Sequence, residues 1–371
     1  MADVKTVQVN ESLKCGGCGA MLFFKPGTLS MQCDHCGQTS NIEQEQNEKI
    51  ISVDLDEFIS GIAALPPNNE VKMVVCTNCG SQTVMDAFLS ADKCAFCTSP
   101  LVVKADSGRQ YVPPHYVLPF DIGKEQGIDF FNKWLKGLWW APNDLAKKVN
   151  GSASALTGVY LPYFTYDTDT TTHYTGERGQ YYYTDETYTE TVNGQTQTKT
   201  RRVRHTSWSY ASGTVNCEFK NLEVPASHSL PAKTLQKLGP WNFGKLKKFN
   251  EQYLSGFRSE TYQVSPESGF EQAQAQTVNT IHDTIRDDIG GDEQRINDTD
   301  TDYNNNAVKY LLLPAWVSAY TYNNKLYQFT INASTGEVIG ERPLSAIKIV
   351  MAILLAIALI AAGVLLLNNA Q

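Results

Sequence analysis

Eight cysteines in four CxxC pairs constrain this chain more than any other feature. The pairs are CGGC at 15–18, CDHC at 33–36, CTNC at 76–79 and CAFC at 94–97. Fourteen residues separate the two pairs within each set, and every cysteine of the second set lies 61 positions after its counterpart in the first. A fixed offset of this kind marks an internal duplication. A CxxC turn places two thiolates on one side of a tight knuckle, and two knuckles joined by a hairpin complete a tetrahedron around Zn²⁺. Gly19, Gly37 and Gly80 follow three of the knuckles and supply the backbone freedom such turns need; the fourth is followed by Thr98.

The expectation is therefore a tandem pair of small β-rich zinc ribbons, at 10–42 and 71–105. Cys15, Cys18, Cys33 and Cys36 hold one ion, and Cys76, Cys79, Cys94 and Cys97 hold the other. Four thiolates fill the shell and leave no position for water or substrate, so both sites are structural rather than catalytic. His35 lies inside the second pair, but four cysteines suffice. A redox reading of CxxC needs a surrounding βαβ pattern, which none of the pairs has. The ninth cysteine, Cys217, stands alone in TVNCEF and reads as a small buried hydrophobe.

The far end carries the second strong signal. Ile349 to Leu367 is nineteen residues without a charge or a strongly polar side chain. At 1.5 Å per residue it spans roughly 28 Å, enough for a bilayer core of about 30 Å. The expected transmembrane helix covers 347–367. Arg342 and Lys348 precede it and the tail to Gln371 bears no charged side chain, which puts the N-terminal side in the cytosol. Met1 to Asn10 has no apolar core of a signal peptide. Both points lead to a tail-anchored, single-pass protein of the cytoplasmic membrane. A reducing cytosol also suits paired thiols that bind metal.

Between these landmarks, DLDEFISGIAAL forms a short helix in a linker at 43–70, stopped by Pro66-Pro67. VPPHYVLPF (112–120) is extended, and 124–140 has helical spacing of Ile128, Phe131, Trp134, Leu135 and Leu138. Residues 158–224 are β-branched and aromatic, with Asn193-Gly194 as a hairpin turn. Residues 231–290 read as mostly helical, in three pieces: AKTLQKL, KLKKFNEQYLSGF and a last one closed by Gly290-Gly291. Strands return after them, turning at Asn323-Asn324 and Ser334-Thr335-Gly336. The sum is an α+β domain with antiparallel sheet over about 113–340, in a multidomain chain.

Function classes narrow by exclusion. The net charge of −8 disfavours a general nucleic-acid binder, and Lys14, Lys25, Lys72, Lys93 and Lys104 are scattered rather than clustered on the ribbons. The run Lys199, Arg201, Arg202, Arg204, His205 reads first as a solvated strand face, with a grip on an anionic partner or lipid headgroups as the alternative. GPWNFGKL (239–246) imitates a P-loop but has Leu246 where Ser or Thr must hold Mg²⁺. DTDTDYNNNAVK (298–309) imitates an EF-hand but has Tyr303 for the glycine and Lys309 for the final glutamate, and reads as a polar loop. The histidines form no catalytic signature, so no enzyme activity is expected.

The paired knuckles, GVYLPYFTYD (158–167), EQYLSGF (251–257), YLLLPAWVSAYTYNNKLYQFTINASTGEVIGERP (310–343) and the terminal span together resemble a bacterial family of membrane proteins with a TFIIB-type zinc ribbon. Some relatives are described as primosomal-helicase-like, a description for which this chain has no helicase motif. Others are encoded beside phage-shock-protein-A-like and SPFH-domain proteins. The resemblance implies a protein-binding adaptor at the cytoplasmic membrane, in envelope stress or membrane remodelling. A membrane-tethered nucleic-acid-binding ribbon protein is the alternative.

Overall fold

The computed structural model describes residues 13–43, 49–64, 72–76, 81–85, 91–94, 96, 100–102, 112–149, 156–192 and 195–369. Cys79, Cys97, Gly80, Thr98, the stop at Pro66-Pro67 and the Asn193-Gly194 turn lie outside this set. The chain is mostly β. Its first cysteine module contributes β1 (Leu22–Phe24), β2 (Ser30–Cys33) and β3 (Thr39–Asn41), an antiparallel sheet in that order. Next come β4 (Val53–Asp54) and the expected linker helix, α1 (Leu55–Ala64), which buries Leu55 and Phe58. The second module contributes β5 (Lys72–Val75), β6 (Gln82–Met85), β7 (Ala91–Lys93) and β8 (Pro100–Val102). Then follow β9 (Tyr116–Val117), α2 (Lys124–Gly137) and α3 (Leu145–Lys148).

Two very long strands come next, β10 (Thr157–Val192) and β11 (Gln195–Pro225), of 36 and 31 residues. Val192 pairs with Gln195, so two residues join them, as an Asn-Gly hairpin requires. The chain continues through α4 (Ala232–Lys237), β12 (Lys247–Lys248), β13 (Arg258–Glu260) and α5 (Pro266–Ile289). It ends with β14 (Glu293–Tyr322), β15 (Lys325–Asn332), β16 (Val338–Gly340) and α6 (Ala346–Asn369).

An eleven-stranded sheet organises the molecule along the path β12-β9-β14-β10-β13-β6-β5. Strand β10 lies between β14 on one edge and, on the other, first β13 and then β11. The sheet also takes in β4 from the linker and the β5–β6 hairpin of the second cysteine module. Burial changes along β10 in three stages. Val159 to Tyr166 is buried without a break, as a strand covered on both faces should be. From Asp167 to Gly176 burial alternates, with Thr168, Thr170, Thr172 and Tyr174 turned inward. Beyond Gly179, which pairs with Glu293 at the start of β14, only β11 accompanies it, and the hairpin is largely exposed.

Helix α5 covers the inward face of the middle stage. Its buried positions Gly269, Ala273, Thr277, Ile281, Ile285 and Ile289 recur every fourth residue, one ridge of an α-helix. Gly269 is small of necessity: a Cβ there would lie 2.3 Å from the Tyr166 hydroxyl, which donates to the Pro266 carbonyl at 2.7 Å. Ser265 caps the helix start, and Gly290, at φ +63°, takes the left-handed backbone that closes its end. Cys217, on β11 facing α5, is half-buried and directs its thiol to Thr284 Oγ1 at 3.6 Å.

Two segments differ from expectation. Residues 247–257 are not a helix: they form β12 and one 3₁₀ turn, Glu251–Leu254, closed by the Asn250 side chain accepting from the Gln252 N–H. Sheet pairing of Lys247 and Lys248 with Val117 and Tyr116 overrides the local helical propensity. Residues 298–309 are not a loop but part of β14. Asp298, Asp300 and Asp302 face solvent, while Thr299, Thr301 and Tyr303 turn inward, so the acidic run is one wet side of a strand. Lys309 is buried there, bound to Asp167 at 2.8 Å and to Ser52 at 2.9 Å, which ties the linker to the sheet.

Glu260 at the end of β13 is a buried carboxyl, 1% exposed, whose partners are the hydroxyls of Ser227, at 2.8 Å, and Ser229. Burial pushes its pKa up to about 8, against the opposing effect of the two serines. An unfolded glutamate titrates near 4.3, so between these values the native state holds a proton that the unfolded state has lost. The stability it contributes is complete below pH ~4.3 and disappears as pH rises through about 8, at ~1.4 kcal/mol per pH unit. Glu260→Gln is expected to flatten this decline in thermal melts between pH 6 and 8. Parallel melting curves for variant and parent would contradict the assignment.

Candidate metal centre

The first cysteine quartet is assembled from two knuckles with the same backbone pattern. The Cys15 N–H donates to the Ala20 carbonyl at 2.7 Å and the Gly19 N–H to the Cys15 carbonyl at 2.8 Å. The Cys33 N–H donates to Gln38 and the Gly37 N–H to Cys33, both at 2.9 Å. Gly19 and Gly37 take φ of +73° and +75°, a region L-residues avoid, which is why glycine follows each pair. Strands β1 and β2 join the knuckles and set them face to face.

The four Sγ atoms lie within 4.8 Å of one another, with Cys15–Cys36 and Cys18–Cys33 at 3.5 Å. A tetrahedral ion with metal–sulfur bonds of about 2.3 Å holds its sulfurs roughly 3.8 Å apart, so the quartet fits one metal ion. Its donors are all thiols, which favours a soft or borderline cation. The N–H groups of Gly17 and Cys18 hold the Cys15 thiol down to about 7, and the Cys36 N–H holds Cys33 below its ordinary value against the effect of burial. Their thiol neighbours shift the other way. Against the Ala20 N–H, hydrogen bonding to Cys33 pushes Cys18 up to about 12, and against the Gln38 N–H, hydrogen bonding to Cys15 raises Cys36. The thiolate that a metal needs is thus favoured at two of the four positions. Cys15 and Cys33 are buried, while Cys18 and Cys36 face solvent.

The quartet is not a detached bead. Leu22, Phe24, Met31, Cys33 and Ile42 share a core with Phe120, Tyr253 and Leu312 of the main domain. The Phe24 N–H donates to the Ser255 carbonyl at 3.1 Å, Ser255 Oγ to Leu22 at 2.6 Å, and the Gly27 N–H to Phe120 at 2.9 Å. The rings of Phe24 and Tyr253 meet edge to face at 5.4 Å. Residues distant in sequence make these contacts, so the cysteine spacing gave no sign of them; the run Leu22-Phe23-Phe24, apolar beyond the needs of so small a module, was the available signal.

In the second set, Cys76 and Cys94 are buried in a core with Leu118, Val159, Leu161 and Leu313. The Cys76 N–H donates to the Ser81 carbonyl at 2.8 Å, the same five-residue closure as at Cys15 and Cys33. Ser81 Oγ lies 3.3 Å from Cys94 Sγ, and Phe96, wholly buried, accepts from Gln328 at 2.9 Å. Strand β6 is paired to β13, so this module is an extension of the main sheet.

Among the described residues, the other candidates are engaged in packing and pairing. In GPWNFGKL, Trp241 is buried and Lys245 is engaged with Asp121 at 2.6 Å. His115 is a packing residue: its ring meets Phe58 at 5.0 Å, and its Nδ1 accepts from the Tyr310 N–H at 3.1 Å. The basic run on β11 is exposed and largely answered across the hairpin. Lys199 pairs with Glu190 and Arg201 with Glu186, while Arg202 and Arg204 stack over Tyr183 and Tyr181 at 4.2 Å.

Helix α6 completes the functional inventory. Its window Ala346–Gly363 is long and apolar enough to cross a membrane, and none of it is buried in protein. Fold and site together define a multidomain, mostly β protein with a metal-capable four-cysteine cluster and one C-terminal apolar helix. The chain is similar to the uncharacterized protein YdjG of Bacillus subtilis (strain 168), 27% identical over 347 residues that cover 91% of this chain and 92% of the other. No protein-family model and no solved structure matches it.

Proposed function

We propose that the protein is a membrane-anchored zinc-ribbon adaptor that binds protein partners on the cytosolic side of the bacterial cytoplasmic membrane. Both four-cysteine sets hold structural Zn²⁺ in this reading, and α6 is the anchor. The observation that carries it is the hairpin of β10 and β11 beyond Gly179, a two-stranded arm exposed on both faces. It displays Tyr182, Tyr183 and Tyr188 with charges of both signs. Aromatic and arginine side chains are the commonest energetic anchors of protein interfaces. Phosphate recognition would instead need unopposed positive charge, and here Lys199 and Arg201 face glutamates. The resemblance to TFIIB-type ribbon membrane proteins adds phage-shock-protein-A-like or SPFH-domain proteins as the partner class.

Crosslinking in native membranes, followed by purification in detergent, tests the reading. A discrete protein partner is expected with the parent chain and is expected to be lost with Arg202→Glu/Arg204→Glu. Recovery of the parent chain alone would reject the adaptor role. Salt-sensitive binding of DNA or RNA by the purified protein would replace it with the nucleic-acid reading.

A further inference from the structure

We infer that the foot of the molecule, around the start of α6, is a binding surface for anionic phospholipid headgroups, so that the domain is seated on the bilayer rather than tethered to it. The inference rests on reading α6 as a membrane span. The chain enters that helix without slack. The Ser345 N–H donates to the Trp140 carbonyl at 2.8 Å, and Lys348 Nζ donates to the carbonyls of Trp139 and Ala141 at 2.9 and 2.8 Å. These bonds fasten the α2–α3 connection beside the first turn of the span.

That connection presents Trp139 to the outside, 77% exposed, the most exposed aromatic among the described residues. Ile347, 77% exposed, and Leu344, 59% exposed, lie at the same level. An indole next to the end of an apolar span sits where an amphipathic ring is most stable, at the headgroup boundary. Beside it is an open groove of about 740 Å³ between residues 142–144 just before α3, the β14–β15 turn and the first turn of α6. Lys325, Lys348, Tyr322 and Asn323 line it, with Leu344 at its apolar edge; Lys148 stands behind this lining and donates to Asn323 Oδ1 at 3.3 Å.

Charge selects the occupant. Two lysines, Lys325 and Lys348, line the groove with one carboxylate, Asp144, whose charge is already answered by Lys148 at 2.8 Å. This is a local positive excess in a chain of net charge −8. Lysines at a membrane surface attract anionic lipid. The groove is continuous with Leu344 and Ile347, so a molecule that offers a phosphate at one end and acyl chains at the other satisfies both parts. A free phosphate would satisfy only the first.

The full chain in nanodiscs gives the test, with either phosphatidylglycerol or phosphatidylcholine brominated in the acyl chains. Quenching of Trp139 is read as the difference between the parent and Trp139→Phe. The parent is expected to prefer phosphatidylglycerol at Trp139, and Lys148→Gln and Lys325→Gln are each expected to weaken that preference roughly fivefold. Equal quenching by both lipids, or no loss in either lysine variant, would overturn the inference while α6 still resists alkaline carbonate extraction. Extraction of the parent by carbonate would overturn the membrane reading and this inference together.

Discussion

Under the proposed zinc assignment, Cys33→Ser is expected to remove one of two zinc ions per chain and to unfold the first cysteine module. Structural zinc in small modules is worth on the order of 10–16 kcal/mol, more than the whole stability of many domains. Cys33 is 0% exposed and shares its core with Met31 and Phe24, so loss of the ion also loosens the packing of Phe24 on Tyr253. Metal analysis of purified protein would give one zinc instead of two, and proteolysis should cut within 13–43. Cys94→Ser should do more damage. Its thiol lies in the core of the main sheet with Val159 and Leu313, so the expected effect extends to global melting. A variant that keeps two zinc ions, or a parent that binds none, would refute the assignment.

Removal of residues 346–371 is expected to move the protein from the carbonate-resistant membrane pellet to the soluble fraction. Thirteen Leu, Ile and Val side chains lie between Ile347 and Leu367. At roughly −0.3 to −0.6 kcal/mol each on insertion, they sum to several kcal/mol in favour of the bilayer. None of the window Ala346–Gly363 is buried by the described residues, with Leu359 65% and Ile360 67% exposed. Any residual binding by the shortened chain should be peripheral and released by salt. A full-length chain found in the soluble fraction would refute the anchor.

The features legible in the sequence are those governed by strict local rules. The CxxC spacing that a tetrahedral site requires yields the Cys15–Cys36 and Cys18–Cys33 contacts of the first quartet, which could hold a metal ion. The unbroken apolar run from Ile349 gives α6 the length and composition to cross a membrane. Two central turn residues impose the register that pairs Val192 with Gln195. What escaped depends on pairings distant along the chain. Lys247 and Lys248 lie in a helix-like stretch and become sheet because Tyr116 and Val117 offer them an edge. Asp298 to Asp302 resemble a loop because a strand with one wet face can be as polar as one. The seating of the first module against Ser255 and Phe120 joins residues more than 90 positions apart, and no local pattern encodes it.

Strand β14 runs from Glu293, opposite Gly179 on the arm, to Tyr322, beside the first turn of α6. From Tyr322 through this pairing to the tip at Val192 the contour is roughly 140 Å, at ~3.3 Å per residue. A tug on the tip directed away from the foot acts along the strands. The β10–β14 bonds between Gly179 and Thr157 then share the load together, instead of parting one by one as they would if peeled. The ladder behaves as a stiff strut, and tension applied at the tip is carried to Tyr322, beside the first turn of α6.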